Sequence, residues 1–233
     1  MNKPLELLCA GAAQGLVKAL QQRWSSDTGA PLNARFGAVG AIKELLLAGE
    51  PCDVMVATET MIDSLAAEGR LQEATRRPLG RVRTGLAVRS GEPWPNVSAP
   101  EALKAALLAA DAIYFPDPVR ATAGIHFANV MRELGIHDAL QPRFRNFPNG
   151  ATSMRELAAT NAARQIGCTQ ITEINCTEGI DLVGALPDRF ELATVYTAAT
   201  NVRAGQAELA ARFIALLAGP DSLALRKAGG FEF

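Results

Sequence analysis

The sequence predicts an α/β fold in which a mostly parallel sheet is wrapped by helices. Three observations carry this reading. Short apolar runs alternate with segments of helical spacing, the pattern of strand–helix–strand units. One run, Cys52–Ala57 (CDVMVA), is nearly continuous, as in a strand buried on both faces. Helical segments are closed by Gly49, Gly69 and Gly135, residues that suit the left-handed turn at a helix end.

In chain order, Leu5–Cys9 reads as a strand that stops at the small-residue loop Ala10-Gly11-Ala12-Ala13. Gln14–Ser26 follows helical spacing, with Leu16, Leu20 and Trp24 on one face. Asn33–Phe36 is the next strand, and Gly37-Ala38-Val39-Gly40 opens a helix that runs to about Ala48. The strand Cys52–Ala57 leads into a helix over Thr58–Ala67. Right-handed crossovers are expected for this βαβαβ run. Arg81–Arg89 (RVRTGLAVR) is a strand of another kind, with charges flanking an apolar stretch, followed by the polar, proline-rich Ser90–Pro100. Ala102–Ala109 is helical, and Ala112–Phe115 is a strand ending at Pro116-Asp117-Pro118. Further helices are expected over Thr122–Leu134, Ser153–Thr160 and Gln206–Leu217, with one helical turn at Thr172–Cys176. Gln165–Cys168 and Leu192–Thr197 read as strands.

The 233 residues suffice for one large domain or two small lobes that each bury a core. A formal net charge of −1 gives no global attraction for nucleic acid or an acidic membrane. The longest apolar run, around Ala211–Ala218, is too short to span a bilayer. Met1-Asn2-Lys3-Pro4-Leu5 has no apolar signal region, so a cytoplasmic location is expected, the alternative being a periplasmic protein whose signal peptide has been removed. Cys9, Cys52, Cys168 and Cys176 form no CxxC pair and are read mostly as small buried apolar residues. With two histidines, no metal site and no cofactor are expected. There is no GxSxG or P-loop, and Gly11-Ala12-Ala13-Gln14-Gly15 is too short for a dinucleotide fingerprint.

A family resemblance rests on an ordered set of local marks. They are Leu8-Cys9-Ala10-Gly11-Ala12, Phe36-Gly37-Ala38-Val39-Gly40, Ala48-Gly49-Glu50-Pro51-Cys52-Asp53-Val54 and Leu65-Ala66-Ala67-Glu68-Gly69. Ala112–Pro118 (AIYFPDP), Phe213–Gly219 and Ala228-Gly229 complete it. In this order the chain resembles the molybdate-binding-protein-like branch of type 2 periplasmic solute-binding proteins, a branch that includes aconitate-isomerase-like enzymes. The resemblance implies two lobes, each a mixed, mostly parallel sheet flanked by helices, joined by two crossing hinge strands. Lobe one would be 1–81 plus 196–233 and lobe two 86–190, with the hinge near 82–86 and 191–196. It implies a monomer that binds a small anionic ligand between the lobes, with a membrane permease as partner and no nucleic acid. The alternative is an enzyme on the same fold, an isomerase that moves a double bond in a tricarboxylate.

Open α/β sheets bind ligands beyond the carboxyl ends of their strands. Four loops there precede helices: Gly11–Gln14, Gly37–Gly40, Arg120–Gly124 and Thr169–Thr172. Their small or hydroxylated residues let backbone N–H groups and the helix dipole meet an anion. The expected ligand-binding residues are Ala12, Ala13, Gln14, Ala38, Val39, Arg120, Thr122, Thr169 and Gln170. Molybdate binders of the resembled family place hydroxyl side chains in the first two loops, where this chain has Ala12, Ala13, Ala38 and Val39. Each missing donor to a buried charged group costs about 1–3 kcal/mol, which points from molybdate toward a carboxylate with a carbon skeleton. Arg120 is the expected carboxylate grip, through two parallel hydrogen bonds. His126, one turn into the following helix, is the base if the chain is an enzyme. Glu59 and Glu173 are weaker candidates at the mouth of the site, and the turn Pro148–Thr152 ranks below the four loops.

Overall fold

The computed structural model describes residues 3–233. It is an α/β protein in which mixed β-strands are flanked by helices. One compact unit comprises the chain up to Val82 together with Thr194–Phe233, and the other is Arg83–Ala193.

The first unit is built on a sheet of β1 (Leu5–Ala10), β2 (Leu32–Gly37), β3 (Val54–Thr58) and β9 (Ala193–Thr200), in the order β2-β1-β3-β9. β2, β1 and β3 are parallel, and β9 runs antiparallel to β3. Every residue of β3 is buried, as its apolar sequence predicts. The helices α1 (Gln14–Thr28), α2 (Val39–Leu47), α3 (Glu59–Ala67), α9 (Ala207–Ala218) and α10 (Leu223–Gly229) belong to this unit. Leu16, Leu20 and Trp24 of α1 are buried, and Trp24 meets Phe213 of α9 edge-on, ring centres 5.0 Å apart.

Two buried charges hold the unit's turns. Asp53 Oδ2 accepts from Glu6 N at 2.9 Å and its Oδ1 from Gln206 N at 3.1 Å, tying the turn before β3 to β1 and to the start of α9. Arg226 of α10 donates to the carbonyls of Leu79, Ala218 and Gly219 and to Ser222 Oγ, so one guanidinium satisfies the orphan carbonyls at the end of α9.

The second unit contains the later part of β4 (Arg77–Arg89), with β5 (Ala112–Pro116), β6 (Phe144–Phe147), β7 (Gln165–Gln170) and β8 (Ile180–Ala185). β5 is parallel to β6 and to β7, while β4 is antiparallel to β7 and to β8. Its helices are α4 (Pro100–Ala109), α5 (Thr122–Glu133), α6 (His137–Leu140), α7 (Gly150–Ala159) and α8 (Ile171–Asn175). Phe115 anchors the core, edge-on to Phe127 of α5 and to Phe144 of β6, with ring centres 5.6 and 5.0 Å apart.

The structure departs from the sequence reading in several places, and β7 and β9 run on to Gln170 and Thr200. β4 begins at Arg77 rather than Arg81, α7 begins at Gly150 rather than Ser153, and neither β6 nor β8 was expected. The short helices α6 and α10 were not expected either. Among the described residues no helix is long and apolar enough to cross a membrane.

Candidate functional site

Because β1, β2 and β3 are parallel, the loops that follow them leave the sheet at one edge. Ala10 and Gly37 are register partners, which sets the loop Gly11–Gln14 beside Gly37–Gly40. Ala12, Ala13, Gln14, Ala38 and Val39 are all buried there. At the same edge Thr58 pairs with Tyr196, the antiparallel β9 arriving where β3 ends. The second unit repeats the logic: parallel β5, β6 and β7 leave their sheet at one edge, and antiparallel β4 contributes Thr84 there, paired with Gln170.

The helix starts at these edges are not alike. Among the described residues seven helices have nine or more residues, and four of them carry their own side-chain acceptor at the N-terminus. Thr58 caps α3, which also has Glu59 in its first turn; Glu101 stands in α4, Glu208 in α9, and Asn149 caps α7. The remaining three, α1, α2 and α5, have neither a capping side chain nor an acid in the first turn. They are the helices that follow Gly11–Gln14, Gly37–Gly40 and Arg120–Gly124. In α1 the Gln14 N–H is taken by Gly11 O of the preceding 3-10 turn, whereas α2 and α5 offer their first turns and positive dipole ends with no acid or capping side chain of their own.

Before α5, Asp117 Oδ1 accepts from the backbone N–H groups of Val119 and Arg120, at 2.7 and 3.1 Å, which fixes the turn that carries the exposed Arg120. Gly124 lets the first turn of α5 lie on the carbonyls of Pro116 and Asp117, where a Cβ would collide with both. Thr122 is the first residue of the helix and is half-buried.

Glu173 is not at a solvent-exposed mouth. It is buried, takes the Thr169 hydroxyl at 2.6 Å and Ala151 N at 3.2 Å, and is also held by the amides of Gln170 and Gly150. The chain's own carboxylate therefore occupies the start of α7. Burial raises its carboxyl above the ordinary value, with these hydrogen bonds pulling the other way. Thr169 spends its hydroxyl proton on this contact. Glu59 is exposed at the start of α3.

Gln170 is different: it is 2% exposed, and neither Nε2 nor Oε1 has a hydrogen-bond partner. Its register partner Thr84 and its near neighbour Thr172 are buried with unpartnered hydroxyls. Every unpartnered buried side-chain atom among the described residues of this unit belongs to these three side chains. Such groups are rare because each costs about 1–3 kcal/mol. Gln170 was expected from the sequence, but Thr84 and Thr172 were not singled out. Thr84 had one sign, a lone hydroxyl within the apolar stretch of RVRTGLAVR.

His126 is half-buried in α5, with Nε2 2.8 Å from the carbonyl oxygen of Phe190. A carbonyl only accepts, so Nε2 carries the proton and Nδ1 is the basic nitrogen of the neutral ring. Cys9, Cys52 and Cys168 are buried and Cys176 exposed, all as free thiols. Burial pushes the Cys52 thiol up to about 12 and raises Cys9 and Cys168 as well, which keeps them protonated. No group of three or more His, Cys, Asp or Glu among the described residues is arranged to hold a metal.

The chain matches the family model described as bacterial extracellular solute-binding protein over residues 5–232. It is 27% identical over 224 residues to an aconitate isomerase from Pseudomonas sp, covering 94% of this chain and 83% of that protein. Among solved structures, it resembles the periplasmic molybdate-binding protein of Azotobacter vinelandii at 20% identity, with a TM-score of 0.79 and coverage of 98% and 99% of the two chains. The sulfate-binding protein SubI from Mycobacterium tuberculosis aligns at 15% identity, with a TM-score of 0.74 and coverage of 99% and 86%. The cytoplasmic expectation finds no support in this family, whose description is extracellular. The chain shares the two-lobed type 2 periplasmic-binding-protein fold of these structures, and it belongs to the bacterial extracellular solute-binding proteins.

Proposed function

We propose that this protein captures a small carboxylate-bearing metabolite and presents it to a membrane permease. The observation that carries this reading is the distribution of helix starts. The three with neither a capping side chain nor an acid in the first turn are those that follow Gly11–Gln14, Gly37–Gly40 and Arg120–Gly124, and Arg120 stands in the turn before α5. A carboxylate would take the guanidinium through two hydrogen bonds and the α5 amides through the dipole. The apolar loop positions Ala12, Ala13, Ala38 and Val39 suit a carbon skeleton better than a bare oxyanion. A hinge in the two segments joining the units, β4 near 82–86 and 191–196 at the start of β9, would let the protein close over its ligand. A thermal-shift screen of di- and tricarboxylates beside molybdate and sulfate tests the reading. Carboxylates should raise the melting temperature, and a shift confined to the inorganic oxyanions would contradict it.

The identity with an aconitate isomerase favours a second reading, an isomerase that moves a double bond in a tricarboxylate. Its base would be His126 through Nδ1, since Nε2 is held by the Phe190 carbonyl. An ultraviolet assay of double-bond migration separates the two: turnover that falls about 100-fold or more in His126→Asn, with ligand still bound, would establish the enzyme.

A further inference from the structure

The unpartnered polar groups of the second unit carry more than a place for a ligand; they define which hydrogen bonds it must make. Gln170 Nε2 offers two donors and Oε1 an acceptor, and the hydroxyls of Thr84 and Thr172 each offer a donor. A carboxylate only accepts. It can answer Nε2 and the hydroxyls, but it leaves Oε1 facing another acceptor in a buried place. The ligand must therefore bring at least one N–H or O–H of its own. An ammonium would want a carboxylate partner in such a site. The carboxylates of the surrounding loops are committed: Glu173 to Thr169 and to backbone amides, Asp117 to the amides of Val119 and Arg120. An alcohol needs no such partner and answers Oε1 as a neutral donor while accepting from a threonine hydroxyl.

We infer that the ligand carries an alcohol hydroxyl beside its carboxylate, so that the protein selects a hydroxycarboxylate over the corresponding deoxy or unsaturated acid. The inference rests on the carboxylate reading above and adds the group that Gln170 recognises. A site built to pair a ligand hydroxyl discriminates strongly against the analogue that lacks it, because its own buried groups are then left unpaired.

Isothermal titration with matched pairs tests it: citrate against tricarballylate and the aconitate isomers, malate against succinate, lactate against propionate. In at least one set the hydroxy acid should bind about 10-fold or more tightly than its analogue. In Gln170→Leu that gap should close to within about 3-fold, mainly through weaker binding of the hydroxy acid. Thr84→Val, which removes a hydroxyl with little change of shape, should narrow the same gap and serves if the leucine variant does not fold. Equal affinity for the hydroxy and deoxy members, or loss of both alike in Gln170→Leu, overturns the inference while the carboxylate reading stands. Absence of binding by every acid in the panel overturns both.

Discussion

Glu173 fills the start of α7 with a carboxylate that cannot leave, and its environment gives it a pH signature. Burial raises its carboxyl above the ordinary 4.5, so the folded protein holds that proton more tightly than the unfolded chain does. The stability this group contributes is then fully present below about pH 4.5 and is lost as pH rises through the folded-state value. Urea unfolding of the wild type and Glu173→Gln between about pH 4 and about pH 8 reads this directly. The wild type should lose stability relative to the variant as pH rises above 4.5, after which the two should run parallel. A difference that stays constant across the window would refute the assignment. Single residues were unevenly legible in the sequence. Gln170 stood out because it lies in Thr169–Thr172, one of the four loops that precede a helix. The burial of Glu173 depends on Gly150, whose missing side chain leaves room for the carboxylate and for Thr169, and that proximity arises only when α7 and α8 are both in place. Thr84 was hidden because one threonine in a strand is ordinary, and only its pairing with Gln170 makes its unpartnered hydroxyl notable.

At the scale of elements, α5 depends on a glycine and the turn before β3 on an aspartate. Alanine normally stabilises a helix relative to glycine by about 1 kcal/mol. In Gly124→Ala the new methyl would strike the Pro116 and Asp117 carbonyls, so the expected change has the opposite sign, a loss of about 1–3 kcal/mol. Denaturant melts check the sign, and a more stable variant would show that α5 does not sit on those carbonyls. Asp53→Ala strips the acceptors from Glu6 N and Gln206 N, each worth about 1–3 kcal/mol when left unpaired. A melting temperature unchanged from wild type would show that these two bonds do not hold the turn. The elements read correctly from sequence are those with strong local signals, such as β3 with its apolar run and α5 with its helical face closed by Gly135. Those missed depend on partners distant in sequence. β6 has only four residues, with Arg145 and Asn146 exposed, and exists through its pairing with β5. β8 is only partly buried throughout and is set by pairing with β4 across a register shift at Leu86/Ala87. α10 is anchored by the carbonyls that Arg226 collects.

For the whole molecule, the α/β class was legible because strand–helix alternation is local, and the two-lobed architecture because family marks occur in order along the chain. The unpartnered cluster of Gln170, Thr84 and Thr172 was not, since it is brought together only by folding. The chain passes between its two units at residues 82/83 and again at 193/194. Closure about these crossings should reduce the radius of gyration in solution scattering when ligand saturates, and an unchanged radius would count against a hinge. Molybdate should leave the melting temperature unmoved, whereas a true ligand at 100 times its dissociation constant adds about 2.7 kcal/mol of stability. The central claim is that the protein grips a carboxylate through Arg120, and isothermal titration of the wild type and Arg120→Gln with the tightest-binding carboxylate tests it most directly. The variant should fold with unchanged melting temperature, because the side chain is exposed, and should lose about 2–5 kcal/mol of binding, roughly 30-fold or more in Kd. Full-strength binding by Arg120→Gln would contradict the account.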